Sequence, residues 1–390
     1  MARNRLSGTI PSSIFNISGL QYINLSQNDL SGNLPSNMCP DLSKLKFLYL
    51  QQNALSGQLA SGSIPWEIDY LQNIEALSLG ESMLSGSIPP NLFNISTLKR
   101  LYLSFNSLSG ILPSNIGYGL CNLEIIYLAA NNLSGQIPSS FSNASMLTQL
   151  ELDRNSLAGV IPDLLGNLKN LQLQNIQFNN LSSDISFLSS LSNCKQLSVL
   201  SVSGNHLHGQ LPNSIGNFSS SFQNLFLWDC KITGRIPQEI GNLTSLIALQ
   251  LGENNLKGSI PTTMMQLHNL QQLSLAGNKL DSSIPDELCE LKNLNKLYLS
   301  GNKFFGLVPS CLENLTSLRY LNLDSNDLTS SIPTSLWNLI DNLQLNLSFN
   351  AFNGSIPPEI QNLRAIIFLD ISGNKISGSI PSTIGRLLTL

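Results

Sequence analysis

Hydrophobic and polar positions follow one pattern that recurs about every 24 residues along this chain. Each copy reads L-x-x-L-x-L-x-x-N-x-L-S-G-x-I-P, as in the segment from Leu98 to Pro113. Fifteen of the 18 prolines lie at the I-P phase, so one period accounts for residues 1–390 and predicts a single repeat domain. The pattern has sixteen anchor positions: Asn4, Asn28, Asn53, Ser82, Asn106, Asn131, Asn155, Asn179, Asn205, Cys230, Asn254, Asn278, Asn302, Asn326, Asn350 and Asn374.

Each position in the repeat has a physical reason. The L-x-L segment alternates with period two, which predicts a short strand with leucines inward and the intervening residue outward. Stacked copies then form a parallel sheet, and each fully buried leucine contributes ~1.5–3 kcal/mol. The anchor asparagine amide both donates and accepts, so we predict a continuous hydrogen-bonded ladder. The glycine of L-S-G suits a positive φ, and the proline ends a second short edge strand.

Three irregularities interrupt the pattern. The interval from Asn53 to Ser82 is 29 residues, which places an insertion near Leu59–Gly62. The repeat containing Ser182–Ser186 lacks its proline. Both ends of the chain fall inside a repeat, so we expect a fragment without the polar caps that solenoids need.

Composition excludes several classes of partner. Charged residues make up 11% of the chain, against roughly 25% in ordinary globular proteins. A net charge of −4 gives no cationic field, so neither nucleic acid nor an anionic membrane surface is an expected partner. No segment approaches the ~18 apolar residues of a membrane span, and no apolar stretch follows the basic N-terminus. We therefore expect no signal peptide and no membrane insertion by this chain.

The residues carry no catalytic constellation. No phosphate loop, nucleophile elbow or kinase motif occurs, so we predict neither an enzyme nor a cofactor. His206 and His208 lack a third ligand, and none of the six cysteines forms a C-x-x-C pair, so no metal site is expected. Cys289 and Cys311 lie in adjacent repeats, where the spacing permits a disulfide. Two free buried thiols are the alternative.

Aromatic and charged side chains gather among the outward strand positions. Aromatic residues also favour strands without any ligand, which is the alternative explanation. Exposed aromatics beside charges are nevertheless common anchors of interfaces. The outward column reads Asn24, Tyr49, Ser78, Tyr102, Tyr127, Glu151, Asn175, Ser201, Phe226, Gln250, Ser274, Tyr298, Asn322, Asn346 and Asp370. The predicted ligand-binding residues are Lys99, Arg100, Tyr102, Phe105, Tyr127, Asp153, Arg154, Phe226, Trp228 and Asp229.

Eleven N-x-S/T sequons are predicted glycosylation sites. An asparagine- and serine-rich repeat also generates such sequons by chance. They suit a secreted glycoprotein, because a cytosolic array would gain nothing from them. The sites are Asn16, Asn24, Asn94, Asn132, Asn143, Asn180, Asn217, Asn242, Asn314, Asn346 and Asn353.

The L-S-G-x-I-P segment resembles the plant-specific leucine-rich repeat of receptor-like kinases, receptor-like proteins and secreted polygalacturonase inhibitors. A finer resemblance lies in Asp184–Cys194 followed by Leu211–Phe218, which is similar to the immune-receptor subfamily that senses flagellin, elongation factor peptide and the rice blight signal. The resemblance implies an α/β solenoid, a right-handed horseshoe of about sixteen repeats. Its parallel sheet would lie on the concave face, with mostly 3-10 turns and loops on the convex side.

The resemblance also implies a function. It predicts the ligand-binding ectodomain of a plant receptor in immune or developmental signalling, on the extracellular face of the plasma membrane. The expected partners are an extracellular peptide or protein and a co-receptor with its own leucine-rich repeats. In full-length relatives one membrane helix and a serine/threonine kinase follow, and we expect this chain to lack both. A secreted inhibitor of a cell-wall-degrading enzyme and a truncated, non-signalling decoy are the alternative functions.

Overall fold

The computed structural model describes residues 1–34, 42–55 and 62–387. The chain forms two compact units, one of Met1–Ser183 with Asn193–His206 and the other of Asp184–Ser192 with Leu207–Leu390. Residues 59–61 of the predicted insertion lie outside the described residues. Within each unit the predicted repeat is confirmed as a leucine-rich repeat solenoid of parallel strands and mostly 3-10 segments.

The main sheet of the first unit contains eight parallel strands among its described residues. Neighbouring strands come from successive repeats and pair in register, as Arg100 does with Ile125 and Tyr102 with Tyr127. The strands are Tyr22–Asn24, Phe47–Tyr49, Ala76–Ser78, Arg100–Tyr102, Ile125–Tyr127, Gln149–Glu151, Leu173–Asn175 and Val199–Ser201.

The main sheet of the second unit is built in the same way from seven described strands. Each strand is three residues long, because the repeat supplies only one L-x-L segment before the chain turns at the anchor. The strands are Asn224–Phe226, Ala248–Gln250, Gln272–Ser274, Lys296–Tyr298, Tyr320–Asn322, Gln344–Asn346 and Phe368–Asp370.

Short segments return the chain from one strand to the next. The proline of I-P precedes most of the 3-10 segments, since its fixed φ suits the start of a helical turn. In the first unit these segments are Ser12–Asn16, Trp66–Tyr70, Pro90–Asn94, Ser139–Asn143 and Asp163–Asn167, with an α-helical turn at Ile116–Gly119. In the second they are Ile185–Phe187, Asn213–Asn217, Gln238–Asn242, Thr262–Gln266, Asp286–Glu290, Ser310–Asn314, Thr334–Asn338, Pro358–Asn362 and Ser382–Arg386, with an α-helical turn at Leu188–Leu191.

The predicted second strand is present in both units, beside the L-S-G segment. Its glycine has the expected positive φ, for example 94° at Gly110. In the first unit the strands are Ser7–Thr9, Asp29–Ser31, Ser85–Ser87, Ser107–Ile111, Asn132–Gly135, Ser156–Gly159 and Asn180–Leu181. In the second they are Thr233–Gly234, Asn255–Gly258, Lys279–Leu280, Phe305–Gly306, Asp327–Ser331 and Ala351–Asn353.

The inward strand residues form the core, with one polar exception. Leu150 and Leu200 are fully buried, as the alternation predicts. Gln174 lies in register between them and is equally buried, with 0% of its surface exposed. Neither polar atom of its side chain has a hydrogen-bond partner. An amide therefore occupies a leucine position in the interior of the first unit.

The predicted ladder is present, and its asparagine anchors from Asn28 to Asn374 share one geometry, whereas the Ser82 hydroxyl and the Cys230 thiol replace the amide at their positions. Asn302 Nδ2 donates to the carbonyl oxygens of Leu275 at 2.9 Å, Leu299 at 3.1 Å and Ser300 at 3.2 Å. Its Oδ1 accepts from the Leu280 N–H at 3.1 Å, in the preceding repeat. Each asparagine rung of this kind therefore joins two repeats through its side-chain amide.

The residue before each anchor adopts a left-handed backbone in all sixteen repeats. Twelve of these residues are not glycine, and their φ angles lie near +50 to +58°, as in Arg154 at 53° and Phe349 at 52°. A left-handed conformation costs an L-residue roughly 1–2 kcal/mol. The turn that follows each strand and directs the anchor inward imposes this cost.

A disulfide joins Cys289 and Cys311, whose Cα atoms are 5.8 Å apart. The two cysteines lie in the adjacent segments Asp286–Glu290 and Ser310–Asn314 of the second unit. The bridge therefore closes a loop of about one repeat on the side away from the main sheet. Among the described cysteines, Cys121 and Cys194 are free thiols.

Candidate functional site

A depression of about 450 Å³ opens on the outward face of the first unit, between Tyr49 and Tyr102. The depression forms because the outward side chains of the strand Ala76–Ser78 are small and lie between larger side chains on the two neighbouring strands. Ser78 is only 4% exposed, whereas its register neighbours are tyrosines. We call this site the tyrosine depression; its lining is Tyr49, Gln51, Ser78, Gly80, Glu81, Tyr102, Ser104, Phe105, Tyr127 and Glu151.

Aromatic rings form the walls of the tyrosine depression. The rings of Tyr102 and Tyr127 are 5.2 Å apart, edge to face. On the other side Tyr49 contacts Tyr22 at 5.7 Å in the same geometry. The Tyr127 hydroxyl donates to Gln149 Oε1. Offset and edge-to-face contacts of this kind hold the rings in defined orientations, so the walls are preorganised.

Carboxylates line two parts of the depression, Glu81 after the strand Ala76–Ser78 and Glu151 three strands further along the sheet. Glu151 is half-buried, and its pKa is raised by burial and then by the charge of Asp153. Asp153 is buried, and burial likewise raises its pKa, although its backbone hydrogen bond and Arg154 oppose the shift. Glu81 accepts from Gln52 Nε2 at 3.1 and 3.2 Å. The lining of the depression therefore contains two carboxylates and no basic residue.

The basic residues at the start of the strands are already paired. Lys99 Nζ is 2.9 Å from Glu75, which Lys46 also approaches at 3.2 Å. The Arg100 guanidinium is 3.6 Å from Glu124. The hydrogen bond from Lys99 is the largest cause that lowers the pKa of Glu75. Lys99 and Arg100, both predicted to bind ligand, thus belong to an exposed charge network beside the depression.

Two further predicted residues precede their anchors. Phe105 is 61% exposed and lines the depression. Arg154 stacks its guanidinium over the Phe178 ring at 4.9 Å and lies 3.9 Å from Asp153. Phe178 was missed by the sequence prediction, although its place before Asn179 in the repeat register could have identified it.

The remaining predicted group lies in the second unit. Phe226 is half-buried at the end of its strand, and Trp228 is 37% exposed. The Trp228 indole lies against Gly252, whose missing side chain leaves room for it; a Cβ there would be 3.0 Å from Trp228 Cδ1. Asp229 is exposed, with a φ of 51°. The surface of this group therefore consists of one exposed indole and one exposed carboxylate beside the half-buried Phe226 ring.

The predicted glycosylation sites fall into two environments. Nine sequon asparagines are exposed on turns and edge strands. Asn24 and Asn346 are half-buried in the main sheets, where each Oδ1 accepts from both the backbone and the hydroxyl of the serine two residues on, Ser26 and Ser348. These two amides are therefore held against their own strands.

Residues that could hold a metal do not converge within residues 1–34, 42–55 and 62–387, where no three His, Cys, Asp or Glu side chains form a candidate ligand set. In the same ranges no helix is long and apolar enough to cross a membrane.

Comparison with known proteins points to one family. Residues 178–354 match the model of a leucine-rich repeat region, and residues 96–157, 19–40 and 365–387 match models of the leucine-rich repeat. No curated protein matches the chain.

Solved plant receptor ectodomains are similar to the whole chain. The ectodomain of the Arabidopsis thaliana receptor kinase GASSHO1/SCHENGEN3, in complex with CASPARIAN STRIP INTEGRITY FACTOR 2, is 33% identical, with a TM-score of 0.72 and coverage of 100% of this chain and 51% of that one. The Arabidopsis receptor kinase HAESA, in complex with the peptide hormone IDA and the co-receptor SERK1, is 30% identical, with a TM-score of 0.85 and coverage of 100% and 68%. This chain thus spans about half to two-thirds of those ectodomains.

A bacterial structure is also similar. A leucine-rich repeat protein of Leptospira interrogans is 30% identical, with a TM-score of 0.78 and coverage of 99% of this chain and 94% of that one. The solenoid alone therefore does not define a receptor, and a role has to be argued from the surface.

Proposed function

The chain belongs to the leucine-rich repeat family, with the plant-type repeats of receptor ectodomains, and from this membership we propose that it recognises an extracellular peptide through the outward face of its first unit. The observation that carries the proposal is the tyrosine depression. Its walls are the half-buried rings of Tyr49, Tyr102 and Tyr127 and the exposed ring of Phe105, and these side chains lie on the outward face of the sheet rather than in the leucine core. Rigid aromatic side chains beside charges supply contact area at low entropic cost, which is what a binding surface requires.

The geometry of the sheet suits an extended ligand. Successive strands lie about 4.8 Å apart, so a peptide crossing them meets one outward residue from each repeat in turn. Specificity then comes from the outward side chains, while the leucine core and the asparagine ladder keep the spacing constant. The group at Phe226, Trp228 and Asp229 is a second candidate contact, within the other unit.

Co-receptor binding and an extracellular location are parts of the same proposal. The HAESA structure contains a co-receptor, SERK1, beside the peptide hormone. Nine exposed sequons suit passage through the secretory pathway. We place this chain on the outer face of the plant plasma membrane, as the recognition part of a receptor in immune or developmental signalling.

Selection of ligands from a peptide display library tests the proposal. Peptides that bind the wild-type chain should lose affinity for Tyr102→Ala and Tyr127→Ala, and Trp228→Ala tests the group in the second unit. Phe349→Ala is the matched control, because Phe349 is an exposed aromatic outside both groups. Circular dichroism should show all four variants folded.

Hydrogen exchange with a selected peptide then locates the site. We expect protection in the strands Phe47–Tyr49 to Gln149–Glu151. Protection restricted to the 3-10 segments, or to repeats beyond Asn302, would refute the placement.

A further inference from the structure

We propose that the tyrosine depression receives a basic side chain, arginine or lysine, of the bound peptide. This inference rests on the proposed function and names the chemistry of its ligand. The occupant follows from charge complementarity. The ten described residues that line the depression include two carboxylates, Glu81 and Glu151, and no lysine, arginine or histidine.

The two carboxylates are short of positive charge. Glu81 has Gln52 as a hydrogen-bond partner, and an amide donor leaves the carboxylate charge in place. Glu151 stands beside Asp153 rather than beside a cation, and the pKa of Glu151 is raised by burial and by that neighbouring charge. A cation entering the depression would add the positive charge that its lining lacks.

Cations already present on this face are engaged elsewhere. Arg154 lies over the Phe178 ring and 3.9 Å from Asp153, a carboxylate outside the lining of the depression. Arg100 pairs with Glu124 at the opposite end of the strands. The negative charge of the depression is therefore left for a ligand.

The aromatic walls suit the same occupant. The face of a tyrosine or phenylalanine ring attracts a guanidinium or ammonium group, and the attraction grows as the pair loses water. The chain already uses this contact, with Arg154 over Phe178 at 4.9 Å and Lys296 over Tyr320 at 5.6 Å. The walls at Tyr102 and Tyr127 offer rings of the same type beside a carboxylate. An anionic side chain would instead meet Glu81 and Glu151 and be repelled.

Two synthetic peptide pools test the inference. The pools have the same random sequence positions and differ at one central residue, which is arginine in one pool and citrulline in the other. Citrulline keeps the shape of arginine without its charge. We expect the arginine pool to yield binders at least about tenfold tighter, since a hydrogen-bonded charge pair is worth that factor or more. Glu151→Gln should remove this preference, and Glu359→Gln, an exposed carboxylate of the second unit, should retain it.

The outcomes separate the two claims. If both pools bind equally and Tyr127→Ala weakens the binding of both, the inference that the depression receives a basic side chain is refuted, and the proposal of peptide recognition stands. A preference for arginine that survives Glu151→Gln and the matching Glu81→Gln also overturns the inference, because the charge would be read elsewhere. If neither pool binds a folded chain, the proposed function fails and this inference fails with it.

Discussion

The buried amide of Gln174 gives a stability test of the fold. Its side chain occupies a leucine position, is 0% exposed and leaves both polar atoms without a partner. Burying an amide in this way costs ~1–3 kcal/mol in measured proteins. Because leucine has nearly the same volume and no polar atoms, Gln174→Leu should raise the free energy of unfolding by about the same ~1–3 kcal/mol.

The reverse change in a strand that does not adjoin Gln174 is the matched control. A glutamine in the adjacent strand would lie within hydrogen-bonding reach of Gln174, so the control is Leu101, an equally buried inward residue whose register neighbours are Leu77 and Ile126. Leu101→Gln loses a buried leucine, worth ~1.5–3 kcal/mol, and adds a second unpaired amide, so it should destabilise by roughly 4 kcal/mol in total. Urea unfolding followed by circular dichroism measures both variants. If Gln174→Leu proved neutral or destabilising, the amide must have a partner in solution and the reasoning would be wrong.

Further predictions concern the ladder, the disulfide, the sugars and acidity. Asn302→Leu should lower the free energy of unfolding by ~1–3 kcal/mol, because the buried Leu280 N–H loses its acceptor while the three carbonyls keep other donors. The control is Lys303→Leu, a substitution of the exposed neighbouring residue, which should be nearly neutral in the same unfolding experiment. Removing the Cys289–Cys311 bridge with Cys311→Ser should cost about 3 kcal/mol for a loop of 22 residues, and a melting point unchanged by the substitution would argue against the bridge. Glycopeptide mass spectrometry after plant secretory expression should find the nine exposed sequons modified and the two strand sequons bare. Binding of the arginine pool should fall on acidification as Glu151 protonates, at a higher pH than for an ordinary glutamate because burial raises its pKa, and the Glu151→Gln variant should show no such fall.

The repeat architecture was predictable because each of its rules is local and recurs in every copy. The alternation around Leu101, the amide chemistry of Asn106 and the glycine at Gly110 each act within one repeat and its neighbour. A single repeat therefore contains the information for the next. The sequence prediction of strands, edge strands and ladder is confirmed for this reason.

Contacts that depend on side-chain conformation or on the details of packing could be predicted less well. The pairing of Lys99 with Glu75 joins side chains 24 residues apart, and it depends on rotamers that the pattern does not specify. The burial of Asp153 likewise comes from its surroundings, although the strand register places it outward. Gln174 was visible in the register as a polar inward residue, but only the packing shows that it has no partner.

The left-handed residue before each anchor has a consequence for engineering the binding surface. Residues there, such as Phe105 and Arg154, project from the outward face, so a library intended to change ligand preference would include them. A β-branched side chain is the least tolerated type at a φ near +50°, since its two Cβ substituents crowd the backbone. The chain follows this restriction, because none of the sixteen positions holds valine, isoleucine or threonine. A library that omits those three amino acids at these positions should contain a larger folded fraction than one that permits all twenty.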